Sequence, residues 1–145
     1  MAALNLVVIS GLSGSGKSHA LKAFEDAGYF CVDNLPPALL PTFVELCHQQ
    51  GGEIKNVALG IDIRERVFFG DLAKVLGELK AQGHALQLVF LEAREEVLVR
   101  RFSESRRPHP LLPHMPVVEG VRFERERLSE LRKHADRVID TSNIT

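Results

Sequence analysis

A nearly continuous apolar run, Leu4-Asn5-Leu6-Val7-Val8-Ile9, leads directly into Gly11-Leu12-Ser13-Gly14-Ser15-Gly16-Lys17-Ser18, and a helical pattern starts inside that glycine-rich stretch. A strand covered on both faces reads as such a run, because neither side of it meets water. Gly11, Gly14 and Gly16 let the backbone turn through conformations that a side chain would block. Strand, glycine loop and helix in that order confine the chain to α/β folds with the first strand inside a parallel sheet.

The remainder of the chain repeats the alternation. Ala20, Leu21, Phe24 and Ala27 share one helix face, with Gly28 as the stop. Tyr29 to Val32 reads as a second strand ending at Asp33-Asn34, and Pro41 suits the first turn of a helix that turns Phe43, Leu46 and Cys47 inward. Val57 to Ile63 is a third strand. Leu72, Val75, Leu76 and Leu79 then follow i, i+3, i+4, i+7 spacing up to Gly83. Leu86 to Leu91 is a fourth strand, followed by a helix carrying Val97, Leu98 and Phe102. Prolines break regular structure over 108–116. Val117 to His134 reads as one charged helix with an apolar stripe at Val117, Val121, Leu128 and Leu131, its charged positions forming a solvated face. Asp136 to Asp140 is a fifth, shorter strand. The expected fold is a five-stranded parallel sheet between helical layers, in one domain spanning 1–145.

Composition narrows the function. The 18 Lys+Arg balance 19 Asp+Glu to a net charge of −1, so the chain as a whole does not attract nucleic acid or acidic membrane. Any basic site must be local. The 2 cysteines, Cys31 and Cys47, lack metal or redox spacing and read as reduced thiols. No apolar run reaches the ~18 residues of a membrane helix, and the N-terminal apolar run is not expected to be a secretory signal. The expected compartment is the cytoplasm.

Gly11 to Ser18 fits G-x-x-x-x-G-K-[ST] at every fixed position, in the required context of strand before and helix after. Successive N–H groups of such a loop make an anion nest, and the helix beginning near Lys17 adds about half a positive charge. Lys17 is expected to reach the β- and γ-phosphates of a nucleotide, and the Ser18 hydroxyl to ligate Mg²⁺. His19 is expected to face solvent. Magnesium sites of this kind use an acidic residue at the carboxyl end of a neighbouring strand. Asp62 and Asp33 both qualify, and spacing does not separate them.

Residues 98–110 form the clearly cationic window, with Arg100, Arg101, Arg106 and Arg107 against Glu104. An arginine-bearing segment braked by prolines can fold over a triphosphate and spread charge from the transferring phosphoryl group. The histidines show no zinc spacing, and no G-x-S-x-G elbow occurs.

GLSGSGKS at 11–18, Ala27-Gly28-Tyr29-Phe30-Cys31-Val32-Asp33-Asn34-Leu35-Pro36, Asp62-Ile63-Arg64, Arg100-Arg101 through Arg106-Arg107-Pro108-His109-Pro110-Leu111, and Asp140-Thr141-Ser142 occur in this order. Together they resemble the N-terminal domain of the RapZ family of bacterial RNase adapter proteins. The resemblance implies a kinase-like P-loop fold that binds ATP and GTP and hydrolyses both slowly. It also implies that Gly11–Ser18 and Asp62, Ile63, Arg64 and Glu65 form the nucleotide-binding stretches, although Glu65 stands where many members have asparagine. Small-RNA binding, presentation to an RNase and control of amino-sugar synthesis belong, in that family, to proteins with a further C-terminal domain.

Three readings follow: a regulatory nucleotide-binding domain, a small-molecule kinase with its acceptor near Asp33 and residues 34–37, and an interaction module with a vestigial site. The first is preferred. Homo-oligomer formation is left open by the sequence. The catalytic set expected for slow hydrolysis is Lys17, Asp62, Arg106 and Arg107.

Overall fold

Strand β1 (Asn5–Gly11) runs down the middle of a five-stranded parallel sheet and pairs on one side with β3 (Asn56–Ile61) and on the other with β4 (Ala85–Glu92). The computed structural model describes residues 4–49, 54–61, 69–105 and 116–143. Strands β2 (Phe30–Leu35) and β5 (Arg137–Asp140) are the edges, giving the order β2-β3-β1-β4-β5. The chain leaves β1 toward the β2 edge and leaves β4 toward the β5 edge. The crevice beyond the carboxyl ends of β1 and β4 is therefore the topological switch point, where α/β sheets bind ligands.

Alternation along the strands sets two apolar layers. Leu6 and Val8 of β1, Val57 and Leu59 of β3, and Leu88 and Phe90 of β4 join one large core. The helices of that layer are α2 (Leu40–His48), α3 (Phe69–Ala81), α4 (Glu95–Ser105), α5 (Val117–Arg127) and α6 (Ser129–His134). Val7, Ile9, Ala58, Val89 and Leu91 face the other way, and among the described residues α1 (Lys17–Asp26) is the helix that covers them, through Leu21, Ala20 and Phe24.

Several expectations need correction. The periodicity of 117–134 predicts one helix, but the backbone breaks at Leu128 (φ −94, ψ 6) into α5 and α6. In α2 the core face is Leu40, Val44 and Cys47 at i, i+4, i+7, which turns Leu46 out to 53% exposure instead of inward. Strand β2 extends through Asn34, a non-glycine at φ 56, and its register shifts between Val32 and Leu35. Asp136 precedes β5 rather than opening it, and its carboxylate accepts a hydrogen bond from the Leu88 N–H at 2.7 Å. Asp62 and Ile63, read as the end of the third strand, and residues 108–115 of the proline stretch lie outside the described residues.

Candidate functional site

The loop between β1 and α1 starts where two backbones nearly touch. Gly11 pairs with Leu91, and a Cβ added at Gly11 would lie 2.3 Å from the Leu91 carbonyl oxygen. Only glycine fits there, which explains the first glycine of the motif by contact as well as by conformation. Leu12 is buried and its N–H donates to that carbonyl at 3.1 Å; the Ser15 N–H then turns back to the Leu12 carbonyl at 3.0 Å. Gly14 is exposed at φ 83, with Phe102 of α4 packed beneath it.

Gly16 sits at the N-cap of α1 in the left-handed region, φ 102 and ψ 23, and supplies no side-chain cap. The first turn of α1 carries no acidic residue, whereas α4 opens on Glu95 and Glu96. An uncapped helix start leaves N–H groups and partial positive charge for an external anion. Lys17 is half-buried as the first residue of α1, and Ser18 and His19 follow, exposed. The Ser15 hydroxyl is buried in the loop and finds no hydrogen-bond partner among the described residues. Leaving such a group unpaired costs about 1–3 kcal/mol.

Three consecutive loop residues are gripped from outside by three different elements. Ser13 donates from its N–H and its hydroxyl to the two carboxylate oxygens of Glu124 on α5, each at 2.7 Å. Arg101 of α4 donates from Nη1 to the Gly14 carbonyl at 2.9 Å. Thr141, just after β5, donates from its hydroxyl to the Ser15 carbonyl at 2.7 Å. Composition assigned Glu124 to a solvated face; it is instead 5% exposed. Its signal in the sequence was its place in the apolar stripe, in the gap between Val121 and Leu128.

Of the acidic candidates, Asp33 is exposed in the second half of β2, two residues before its end, and its Oδ1 accepts from the Asn34 N–H at 2.8 Å. The same Oδ1 lies 2.7 Å from where a Cβ on Gly60 would stand, and Leu21 Cδ1 lies 2.9 Å from it. Glycine at position 60 thus lets Asp33 close onto the sheet beside α1, one helical turn along from Lys17 and Ser18. Asp62, Ile63, Arg64, Glu65, Arg106 and Arg107 lie outside the described residues. Among the described residues no group of three metal-ligating side chains occurs.

A cavity of about 380 Å³ opens at the switch point, between the loop, α1 and β5. Gly14, Gly16, His19, Ala20, Leu91 and Ile139 contribute to its wall, along with Arg101 and Thr141. A second cleft, of about 400 Å³, lies against α5 and α6, but its charges answer one another. Arg132 forks onto Glu92 at 3.0 and 2.8 Å, and Arg125 donates to the Ala93 carbonyl at 2.7 Å. Among the described residues, no helix is long and apolar enough to cross a membrane.

Comparison with known proteins agrees with this geometry. Residues 4–145 match the family model for the RapZ-like N-terminal domain. A nucleotide-binding protein of Desulforudis audaxviator is 52% identical over 145 residues, 100% of this chain and 49% of its own length. A nucleotide-binding protein of Clostridium botulinum is 49% identical over 141 residues, 97% of this chain and 48% of its own. The chain spans about half the length of the curated relatives it matches. Shikimate kinase from Acinetobacter baumannii in complex with shikimate superposes with a TM-score of 0.61 at 16% identity, over 97% of this chain and 85% of that one. Shikimate kinase from Bacteroides thetaiotaomicron gives 0.60 at 16%, over 95% and 87%. The shared feature is the fold, a P-loop kinase-like α/β sandwich.

Proposed function

This chain belongs to the RapZ-like N-terminal domain family, and we propose that it binds ATP or GTP with Mg²⁺ on the loop Gly11–Ser18 and hydrolyses it slowly, as the nucleotide-responsive domain of a longer regulatory protein. The observation that carries this reading is the uncapped start of α1 behind the left-handed Gly16. A triphosphate supplies the anion that such a helix start favours. Lys17 would pair with the β- and γ-phosphates.

The cavity beside the loop suits the nucleoside. Ala20, Leu91 and Ile139 provide apolar surface, and His19 and Arg101 provide planar groups that stack on a base. No carboxylate is among the described residues that line it. Mg²⁺, when bound, would screen the β- and γ-phosphate charge. Ser18 is its hydroxyl ligand in this reading, with Asp62, directly after β3, or Asp33 as the acidic partner. Asp62, Ile63, Arg64 and Glu65 would complete the nucleotide-binding stretch, and Arg106 and Arg107 would stabilise charge on the transferring phosphoryl group.

Phosphoryl transfer to a small hydroxyl-bearing acceptor is the second reading, favoured by Asp33 lying beside α1. In the preferred reading, contacts with small RNA and an RNase belong to whole relatives, twice this chain's length, and its partner is its own C-terminal domain. Incubation with γ-labelled ATP or GTP and Mg²⁺ separates the cases. Slow release of inorganic phosphate without an added acceptor is expected. In the Arg106→Ala, Arg107→Ala double variant, turnover should fall by at least tenfold while affinity stays within twofold. Binding without release would leave an interaction module with a vestigial site.

A further inference from the structure

We propose that Arg101 and Thr141 are positioning residues that aim the backbone of the nucleotide loop and tie it to the chain leaving β5; the proposal rests on the nucleotide reading above. The first observation is an inversion of burial. All four residues of β5 are exposed, yet Thr141 and Ser142 immediately after it are each only 8% exposed. An edge strand needs no buried polar pair to end it, so these two side chains serve something other than β5.

Their hydrogen bonds show what they serve. The Thr141 N–H donates to the Glu92 carbonyl at 2.7 Å, and the Arg94 N–H donates to the Ser142 hydroxyl at 2.8 Å, which fixes the segment to the end of β4. From that anchor, the Thr141 hydroxyl donates to the Ser15 carbonyl at 2.7 Å. Arg101 donates to Thr141 twice, from Nη1 to the hydroxyl at 3.1 Å and from Nη2 to the carbonyl at 2.6 Å, while Nη1 also holds the Gly14 carbonyl. Guanidinium, hydroxyl and loop carbonyl form a chain in which each donor polarises the next.

Peptide planarity turns this grip into aim. In a trans peptide the C=O of one residue and the N–H of the next point in opposite directions. Holding the Ser15 carbonyl toward Thr141 therefore directs the Gly16 N–H to the opposite side of the loop. Gly16, at φ 102, has little conformational preference of its own to enforce that direction. By linkage, a nucleotide that needs this loop geometry also favours the anchored state of residues 141 and 142.

The test compares Thr141→Val, which keeps shape and loses the hydroxyl, with Thr141→Ser, which keeps the hydroxyl. Mg·ATP affinity should fall about tenfold in Thr141→Val and stay within twofold of wild type in Thr141→Ser. Without nucleotide, amide exchange at Ser15, whose N–H donates to the Leu12 carbonyl, should quicken in Thr141→Val only. In the wild type, Mg·ATP should slow exchange at Thr141 and Ser142. A folded Thr141→Val with wild-type affinity or wild-type exchange at Ser15 overturns the positioning role, and unaltered exchange at 141 and 142 overturns the link. A wild type that binds no nucleotide contradicts the proposed function instead, and the nucleotide-free exchange comparison still decides the positioning role.

Discussion

Both carboxylate oxygens of Glu124 bind Ser13: Oε1 accepts from the Ser13 N–H and Oε2 from the Ser13 hydroxyl, each at 2.7 Å. A carboxylate that accepts two donors at this distance makes charge-assisted bonds, stronger than neutral ones. The pair spans 111 positions of sequence and fastens α5 to the loop that follows β1.

Glu124→Ala should destabilise the fold by about 1–3 kcal/mol, because the Ser13 N–H loses its acceptor in a part-buried place. Glu124→Gln keeps one acceptor oxygen and should lose less. Urea unfolding of the three proteins checks the order. Equal stability of wild type and Glu124→Ala would contradict the bracing role.

Two glycines should respond differently to an added methyl. At Gly11 the obstacle is backbone, the Leu91 carbonyl 2.3 Å away, and φ is 149. At Gly60 it is the Asp33 carboxylate at 2.7 Å and the end of Leu21 at 2.9 Å, and side chains can give. Gly60→Ala should cost about 1–3 kcal/mol, as overpacking does. Gly11→Ala should cost more and should prevent a stable fold. A Gly11→Ala protein as stable as Gly60→Ala would refute the close approach of β1 and β4.

The loop was legible because three signals coincide in adjacent residues: the run Leu6–Ile9, the glycines, and the helical spacing after Lys17. The residues that hold the loop were not, for separate physical reasons. Glu124 occupies a stripe position whose neighbours are apolar, so composition counted it as surface charge. Arg101 and Thr141 act across 87 and 126 positions respectively, and no local pattern records such a bond. The break at Leu128 has neither glycine nor proline to announce it. In α2, apolar residues sit at Leu40, Phe43, Val44, Leu46 and Cys47, nearly all round, so periodicity alone could not choose the buried face.

Both thiols should be slow to react at neutral pH. Burial pushes the Cys47 thiol up, and burial followed by the Glu25 carboxylate pushes up Cys31. A raised pKa in the folded state favours the neutral thiol. That stabilisation is present below the unfolded value, ~8.5, and is lost as pH rises through the folded one. Iodoacetamide at pH 7.5 should modify Cys47 only as the protein unfolds and Cys31 more slowly than a small free thiol. Rapid labelling of both in the native state would contradict this packing.

Calorimetric titration with Mg·ATP and Mg·GTP, wild type against Lys17→Ala, decides whether the loop between β1 and α1 is a nucleotide site. In the proposed site Lys17 would contribute a charge-assisted phosphate contact worth about 1.5–3 kcal/mol, and half-buried at the start of α1 it adds little to the core. The wild type should bind both nucleotides, and a Lys17→Ala protein that melts like the wild type should bind them about ten- to a hundredfold more weakly. A folded wild type that binds neither nucleotide, or a Lys17→Ala protein that binds as tightly as the wild type, would contradict a nucleotide site there.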